Sequence, residues 1–405
     1  METMNLTEDK QELLKKALSK EAGNSLYISL TKLTNGKMVT ATDVGELSDG
    51  TIIVCGSGPS ATGGGAYPVV LRVAPNLVCT VFNSFVKDPE KVLTGSATGL
   101  CVVSDDLVFI TYNTYDKTKG LSTQLPYLGV LAGGALIPIT VTGSFALPLN
   151  EGVSSGNANS VYISLAQGLV VPGSFGEAPL TAPVIWEVTY NILQPLTLPT
   201  FTTIPLKYPD GARYGEVFCA SFVNKTTFIG GDTYSQPTAK FPGVWTVIDN
   251  VSTPKLLSVP QTLYAKVINS SPNGSFLCGA MYVPADSFQP KTTLWAWNGK
   301  QFNFVESKSI LGASATLVND KGTIVLEVLN DTNSPYIVSP NTGNPITLLQ
   351  YFKNINTDGL PSSMSGFTAN NLSVNSTIMV GNGIQEAWIV INPFTIGGEE
   401  SIKRD

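Results

Sequence analysis

Acid–base and nucleophilic chemistry in this 405-residue chain has to come from carboxylates, because the chain contains no histidine. A Ser–His–Asp triad, a Cys–His dyad, a histidine-ligated zinc site and an imidazole proton shuttle are therefore all excluded. Asp and Glu number 30, and two carboxyl groups flanking a sugar ring suffice for glycoside hydrolysis. Asp49, Asp105, Asp106 and Asp320 lie in turn sequences, where an Asp side chain commonly bonds the neighbouring backbone. They are read as turn residues, and no residue is assigned as catalytic.

Other chemistry-bearing patterns give way to structural readings. Gly56-Ser-Gly58-Pro-Ser-Ala61 matches the spacing of a dinucleotide fingerprint. Such a site needs a helix N-terminus next to receive the pyrophosphate, whereas Gly63-Gly-Gly65 and another strand pattern follow. Cys55, Cys79, Cys101, Cys219 and Cys278 lie scattered in apolar runs, so buried reduced thiols are expected. No metal and no cofactor is predicted. Arginine is limited to Arg72, Arg213 and Arg404, and the net charge is −6. That balance argues against a phosphate-gripping nucleic-acid surface, and no nucleic-acid partner is expected.

The elements that must position these residues are mostly strands. One helix is predicted over Glu8–Glu21, within an N-terminal helical segment (1–23), with Leu13, Leu14, Ala17 and Leu18 on one face. After it come short β-branched and aromatic runs broken by Gly, Pro, Asn and Asp, the pattern of an all-β protein. The runs repeat. A turn followed by an apolar strand appears at Asp49–Gly56, Asp106–Tyr112, Gly168–Gly173, Asn224–Gly230, Gly274–Gly279, Gly322–Glu327 and Asn375–Gly381. The units are about fifty residues long. A second strand follows each, carrying Trp186, Trp245, Trp295 and Trp388 at one recurring position. A strand of small residues precedes it, as in Gly95–Leu100 and Leu311–Thr316, and units one to six end in a fourth strand, as in Gln301–Val305 and Pro345–Leu349.

Four antiparallel strands repeated seven times predict a seven-bladed β-propeller over 24–396. The seventh unit lacks its fourth strand, because Glu386–Phe394 runs into the charged tail 397–405. A spare strand, Leu26–Leu30, precedes the first unit. It is predicted to complete the last blade and close the ring, hiding the sheet edges.

The unit, and above all Gly359–Gly381 followed by Glu386-Ala-Trp-Ile-Val390, resembles the HAF-type extracellular-repeat family. The resemblance is clearest over 216–394. It implies a propeller-like scaffold common in surface and secreted bacterial proteins, and it brings no catalytic residues. Propeller sialidases need an arginine cluster, which three scattered arginines do not supply.

The loops between second and third strands are long in the first five units, so one face is built up on one side. They carry Tyr115, Asp116, Asp232, Tyr234, Tyr282, Asp286 and Phe288, aromatic and acidic groups suited to recognising protein or glycan. The expectation is a non-enzymatic interaction or structural module with a partner on this face. A carboxylate-dependent carbohydrate hydrolase or lyase is the alternative, and the N-terminal helix is a further candidate assembly contact. Only 13% of residues are charged, against roughly a quarter in an average globular protein. No secretory signal peptide or membrane span is read. Together these features favour a virion or cell-surface setting over the cytoplasm.

Overall fold

The computed structural model describes residues 2–4, 26–59, 65–74, 79–83, 86, 89–119, 123–134, 137–164, 168–177, 180–191, 199–223, 226–235, 240–248, 251–259, 264–282, 289–305, 312–328, 331–340, 344–354 and 359–394. Seven antiparallel sheets, each built on a four-strand meander, form a ring. From axis to rim, blade 1 comprises Thr40–Glu46, Ile52–Pro59, Ala66–Val73 and Cys79–Phe82. Blade 4 comprises Tyr214–Val223, Thr226–Tyr234, Lys240–Ile248 and Val251–Leu256. The inner strands of the other blades are Val92–Ser104, Gly156–Ala158 with Tyr162–Ile163, Tyr264–Ser270, Ala313–Val318 and Thr368–Leu372.

The ring closes as expected. Leu26–Ser29 pairs antiparallel with Glu386–Ile391 and forms the outer strand of blade 7. Tyr27 in this strand is buried and stacks on Trp388, with ring centroids 6.2 Å apart. The seam thus joins strands from the two ends of the described chain.

Three local features stand apart from the expected layout. The helix over Glu8–Glu21 lies outside the described residues, and Glu2–Met4 is a strand that adds a fifth member to blade 1 along Cys79–Phe82. The predicted fourth strand at Pro345–Leu349 shrinks to Ile346–Thr347, because a helix follows at Leu348–Asn354. Thr347 explains the switch, since its Oγ1 accepts the Gln350 N–H at 3.0 Å as an N-cap. Several second strands also run beyond their anchors, to Pro59, Asp116, Phe175, Tyr234 and Tyr282. They absorb residues expected in loops.

The core lies between blades. Trp186, Trp245, Trp295 and Trp388 are completely buried, as their recurring position implies. The indole N–H of Trp186, Trp245 and Trp295 donates to Pro148 O, Lys207 O and Ser258 O at 2.8, 2.7 and 3.0 Å. Each of these tryptophans therefore clasps the segment that enters its own blade. All five cysteines are buried free thiols.

Each inner strand carries one extra residue at the same level. Register shifts fall at Thr42, Thr98, Phe218, Ile268, Thr316 and Asn370, and blade 3 breaks its inner strand at Asn159. A β-bulge re-aims the side chain of the extra residue, and here all seven line one axial cavity of about 320 Å³. The recurring glycines face these bulges. A Cβ at Gly56, Gly231, Gly279 or Gly381 would lie 1.9–2.0 Å from the carbonyl oxygen of the adjacent inner strand. In blade 4 the residue that needs this space is Gly231, one position beyond the anchor glycine picked out by sequence.

Candidate functional site

The register of each blade gives the two ends of the channel distinct walls. Inner strands start at the long-loop face, where Glu216 pairs with Asp232, Lys266 with Ala280 and Ser314 with Glu327. In blades 1 to 3 the equivalent pairs are uncharged, namely Thr40 with Ser57, Ser96 with Asn113 and Asn157 with Ser174. Charge is therefore gathered into blades 4 to 6 of a ring that is otherwise hydroxyl and amide.

Lys240, which opens the third strand of blade 4, is the centre of this sector. Its ammonium lies 3.1 Å from Asp232 Oδ2 and 3.7 Å from Glu216 Oε2. It also sits 4.9 Å from the centroid of the Tyr234 ring, a cation–π arrangement. Thr181 of blade 3 ties in the remaining groups. Its hydroxyl donates to Glu216 Oε1 at 3.3 Å and shares a 2.9 Å hydrogen bond with the Tyr234 hydroxyl.

Burial sets the electrostatics. Asp232 is completely inaccessible, and desolvation pushes its carboxyl up to about 6, with Lys240 opposing the rise. Lys266 is held below the ordinary lysine range by burial and then by the nearby Lys240 charge. Burial raises the phenols of Tyr234 and Tyr282. The arrangement can present cationic, anionic and phenolic groups together. Among the described residues, no group of three or more Cys, Asp or Glu is placed to hold a metal ion.

The structure brings Asp232, Tyr234 and Tyr282 into one neighbourhood, with the Lys240 charge acting on all three. Asp232 and Tyr234 do not project from a mobile loop. They are buried strand residues of Thr226–Tyr234, because the blade 4 hairpin extends to Tyr234. Tyr115 and Asp116 belong to blade 2 and make local contacts there. Tyr115 is in register with Gln124, and Asp116 Oδ1 accepts from Thr118 N and Oγ1 at 2.7 and 2.6 Å. Asp286 and Phe288 lie outside the described residues.

Sequence reading missed Lys240, Glu216 and Lys266. The available signal was positional, since all three lie where strands begin on the charged side of the ring. The turn aspartates hold architecture, as expected. Asp105 Oδ1 accepts the Ser48 N–H at 2.6 Å and Asp320 Oδ1 accepts the Asn273 N–H at 2.8 Å, each joining turns of adjacent blades. Asp49 bonds Thr51 within its own turn.

No family model and no curated protein matches the chain. Solved structures similar to it include a sialidase, a gluconolactonase and a peptidase. A Trypanosoma rangeli sialidase in complex with sialic acid is 10% identical with a TM-score of 0.45, over 93% of this chain and 58% of that one. The Pseudomonas aeruginosa periplasmic gluconolactonase is 15% identical with a TM-score of 0.46, over 75% and 83% respectively. A Mycobacterium tuberculosis puromycin-hydrolyzing peptidase is 12% identical with a TM-score of 0.47, over 87% and 50%. The chain thus spans about half the length of the sialidase and the peptidase. At these identities the likeness concerns fold alone, and the chain is a seven-bladed β-propeller.

Proposed function

We propose that this propeller is a recognition module and that it engages a glycan through the long-loop face at blades 3 to 6. One observation carries the reading. Asp232, Tyr234 and Tyr282 converge with Glu216 and Lys266 around Lys240 in the charged sector of the axial rim. Hydroxyl-rich ligands need donors and acceptors side by side, with ring edges to pack against. The partly exposed Lys240, Lys266, Glu216 and Tyr282 offer all three, while the buried Asp232 and Tyr234 hold Lys240 from beneath. Its carboxylates are engaged with Lys240 and Thr181, which suits binding better than nucleophilic attack. A protein partner on the same face is the other form of this reading. The low charge and the likeness to HAF-type repeats support a particle or surface setting.

A second reading rests on the Glu216–Asp232 cross-strand pair. One carboxyl raised to about 6 beside a second carboxylate is the pairing of a carbohydrate hydrolase. Glycan-array binding followed by product analysis tests both readings. Binding without turnover, weakened at least tenfold by Tyr282→Ala, is the expected result. Turnover abolished by Asp232→Asn would instead establish the hydrolase. Failure to bind any glycan, with a protein captured through the same residues, would replace the ligand class.

A further inference from the structure

The opposite end of the channel has a different character. Past the bulges, the inner strands descend to the tight-turn face and enclose a cavity of about 430 Å³. Leu100, Val102, Val161, Phe222 and Leu372 give it apolar walls, and Asp43 contributes a carboxylate. Asp43 is 5% exposed. Among the described residues no cation pairs with it, and the cavity lining contains no Lys or Arg.

Three donors hold this carboxylate in place. Oδ1 accepts the Val44 N–H and the Asn371 side-chain amide, both at 2.8 Å, while Oδ2 accepts the Leu100 N–H at 2.7 Å. A carboxylate offers about four acceptor positions, so one remains on Oδ2. A buried carboxylate without a countercharge is costly to keep ionised. A ligand that brings both a positive charge and an N–H donor supplies both missing partners.

We propose that this cavity binds a small organic ammonium ion, its charged head against Asp43 and its hydrocarbon body against Leu100, Val102 and Phe222. A hard metal cation fits less well, because it seeks six or more oxygen ligands. The nearby amide oxygens each already accept a hydrogen bond, Asn269 Oδ1 from Ser270 N and Asn371 Oδ1 from Leu372 N at 2.8 and 2.9 Å. Glu46 at the same end is engaged too, its Oε2 accepting from the Thr377 hydroxyl at 3.1 Å. The cavity volume lies within the range of small-molecule pockets. The proposal is independent of the long-loop face.

Titration calorimetry of the full chain with n-butylammonium and phenethylammonium chlorides, against n-butanol, phenethyl alcohol and potassium chloride, provides the test. Saturable binding of the ammonium ions, at least tenfold tighter than their matched alcohols and absent for potassium, is the expected result. Asp43→Asn should weaken it at least tenfold. Val374→Trp, at an exposed rim residue, should weaken it without touching the carboxylate, and it serves if Asp43→Asn does not fold. Equal binding of amine and alcohol, binding of potassium alone, or binding unchanged in Val374→Trp would overturn the proposal. So would no saturable binding of either ammonium ion.

Discussion

Asn370 and Ala41 lie 329 positions apart, and the Asn370 side-chain amide donates to the Ala41 carbonyl at 2.7 Å. The Ala41 N–H in turn donates to Asn382 Oδ1 at 2.6 Å. Both hydrogen-bonding groups of Ala41 are thus held by blade 7. The device recurs around the axis. Thr42 Oγ1 donates to Ala97 O and Thr98 Oγ1 to Ala158 O, both at 2.8 Å, and Asn159 Nδ2 donates to Val217 O at 2.5 Å. Thr42, Thr98, Asn159 and Asn370 thus each grip the residue before the next blade's bulge. The relay lapses at Phe218 and Ile268, whose side chains have no donor, and at Thr316, whose Oγ1 donates to Val325 O of its own blade at 3.4 Å.

Closure of the ring rests on the strand Leu26–Ser29. Tyr27→Ala should lower stability by about 3 kcal/mol, because it removes a buried ring stacked on Trp388. It also removes the hydroxyl that donates to Glu386 Oε1 at 3.0 Å. Tyr27→Phe should cost only about 1 kcal/mol. Denaturant unfolding of the two variants separates packing from the hydrogen bond, and equal losses would refute the assignment to stacking.

Lys240 neutralises a carboxylate that has no access to water. Lys240→Ala should destabilise the protein by about 3 kcal/mol by leaving Asp232 buried and unpaired. Asp232→Asn should cost less, since Asn113 and Asn382 occupy the same level of blades 2 and 7. In the double variant the penalty should fall below that of Lys240→Ala alone. A double-mutant cycle by chemical denaturation measures this coupling, and strict additivity would count against it.

Stability should decline as pH rises from about 4 to about 7. Burial raises Asp43 from 3.8 to about 7 and Asp232 from 3.8 to about 6. Between the unfolded and folded values the native state binds more protons than the unfolded chain, so the slope of stability with pH is negative. The contribution is fully present below about 4 and is lost as each folded-state value is passed. For Asp43 the shift corresponds to roughly 4 kcal/mol at most. Unfolding midpoints across this range should flatten in Asp43→Asn, and an unchanged slope would remove Asp43 as the cause.

The glycines opposite the bulges are set by space. Gly279→Ala places a methyl 2.0 Å from Lys266 O, and a shift of the inner strand should cost about 3 kcal/mol. Gly299→Ala meets nothing within 4 Å but stands at φ +94°, so its cost should be about 1 kcal/mol from backbone strain alone. Thermal unfolding of the pair tests whether close approach, rather than chain flexibility, keeps Gly279.

The blade count, the strand order and the closing strand were legible because they rest on local chemistry. Alternating apolar runs, turn residues and a tryptophan in four of the seven units recur with the period of a single sheet, and a missing strand at one end matches a spare at the other. The absence of histidine likewise excludes whole reaction classes from composition alone. Tertiary structure alone decided where the chemistry lies. Asp232 and Tyr234 read as loop residues, yet hairpin extension buries them beside Lys240, eight and six positions away along the chain. Asp43 carried no local signal, because its donors Leu100 and Asn371 come from blades 2 and 7. Period and propensity act within one strand pair, whereas a site on the axis is assembled from all seven. What makes it a site is the desolvation and the countercharge that only the closed ring supplies or withholds.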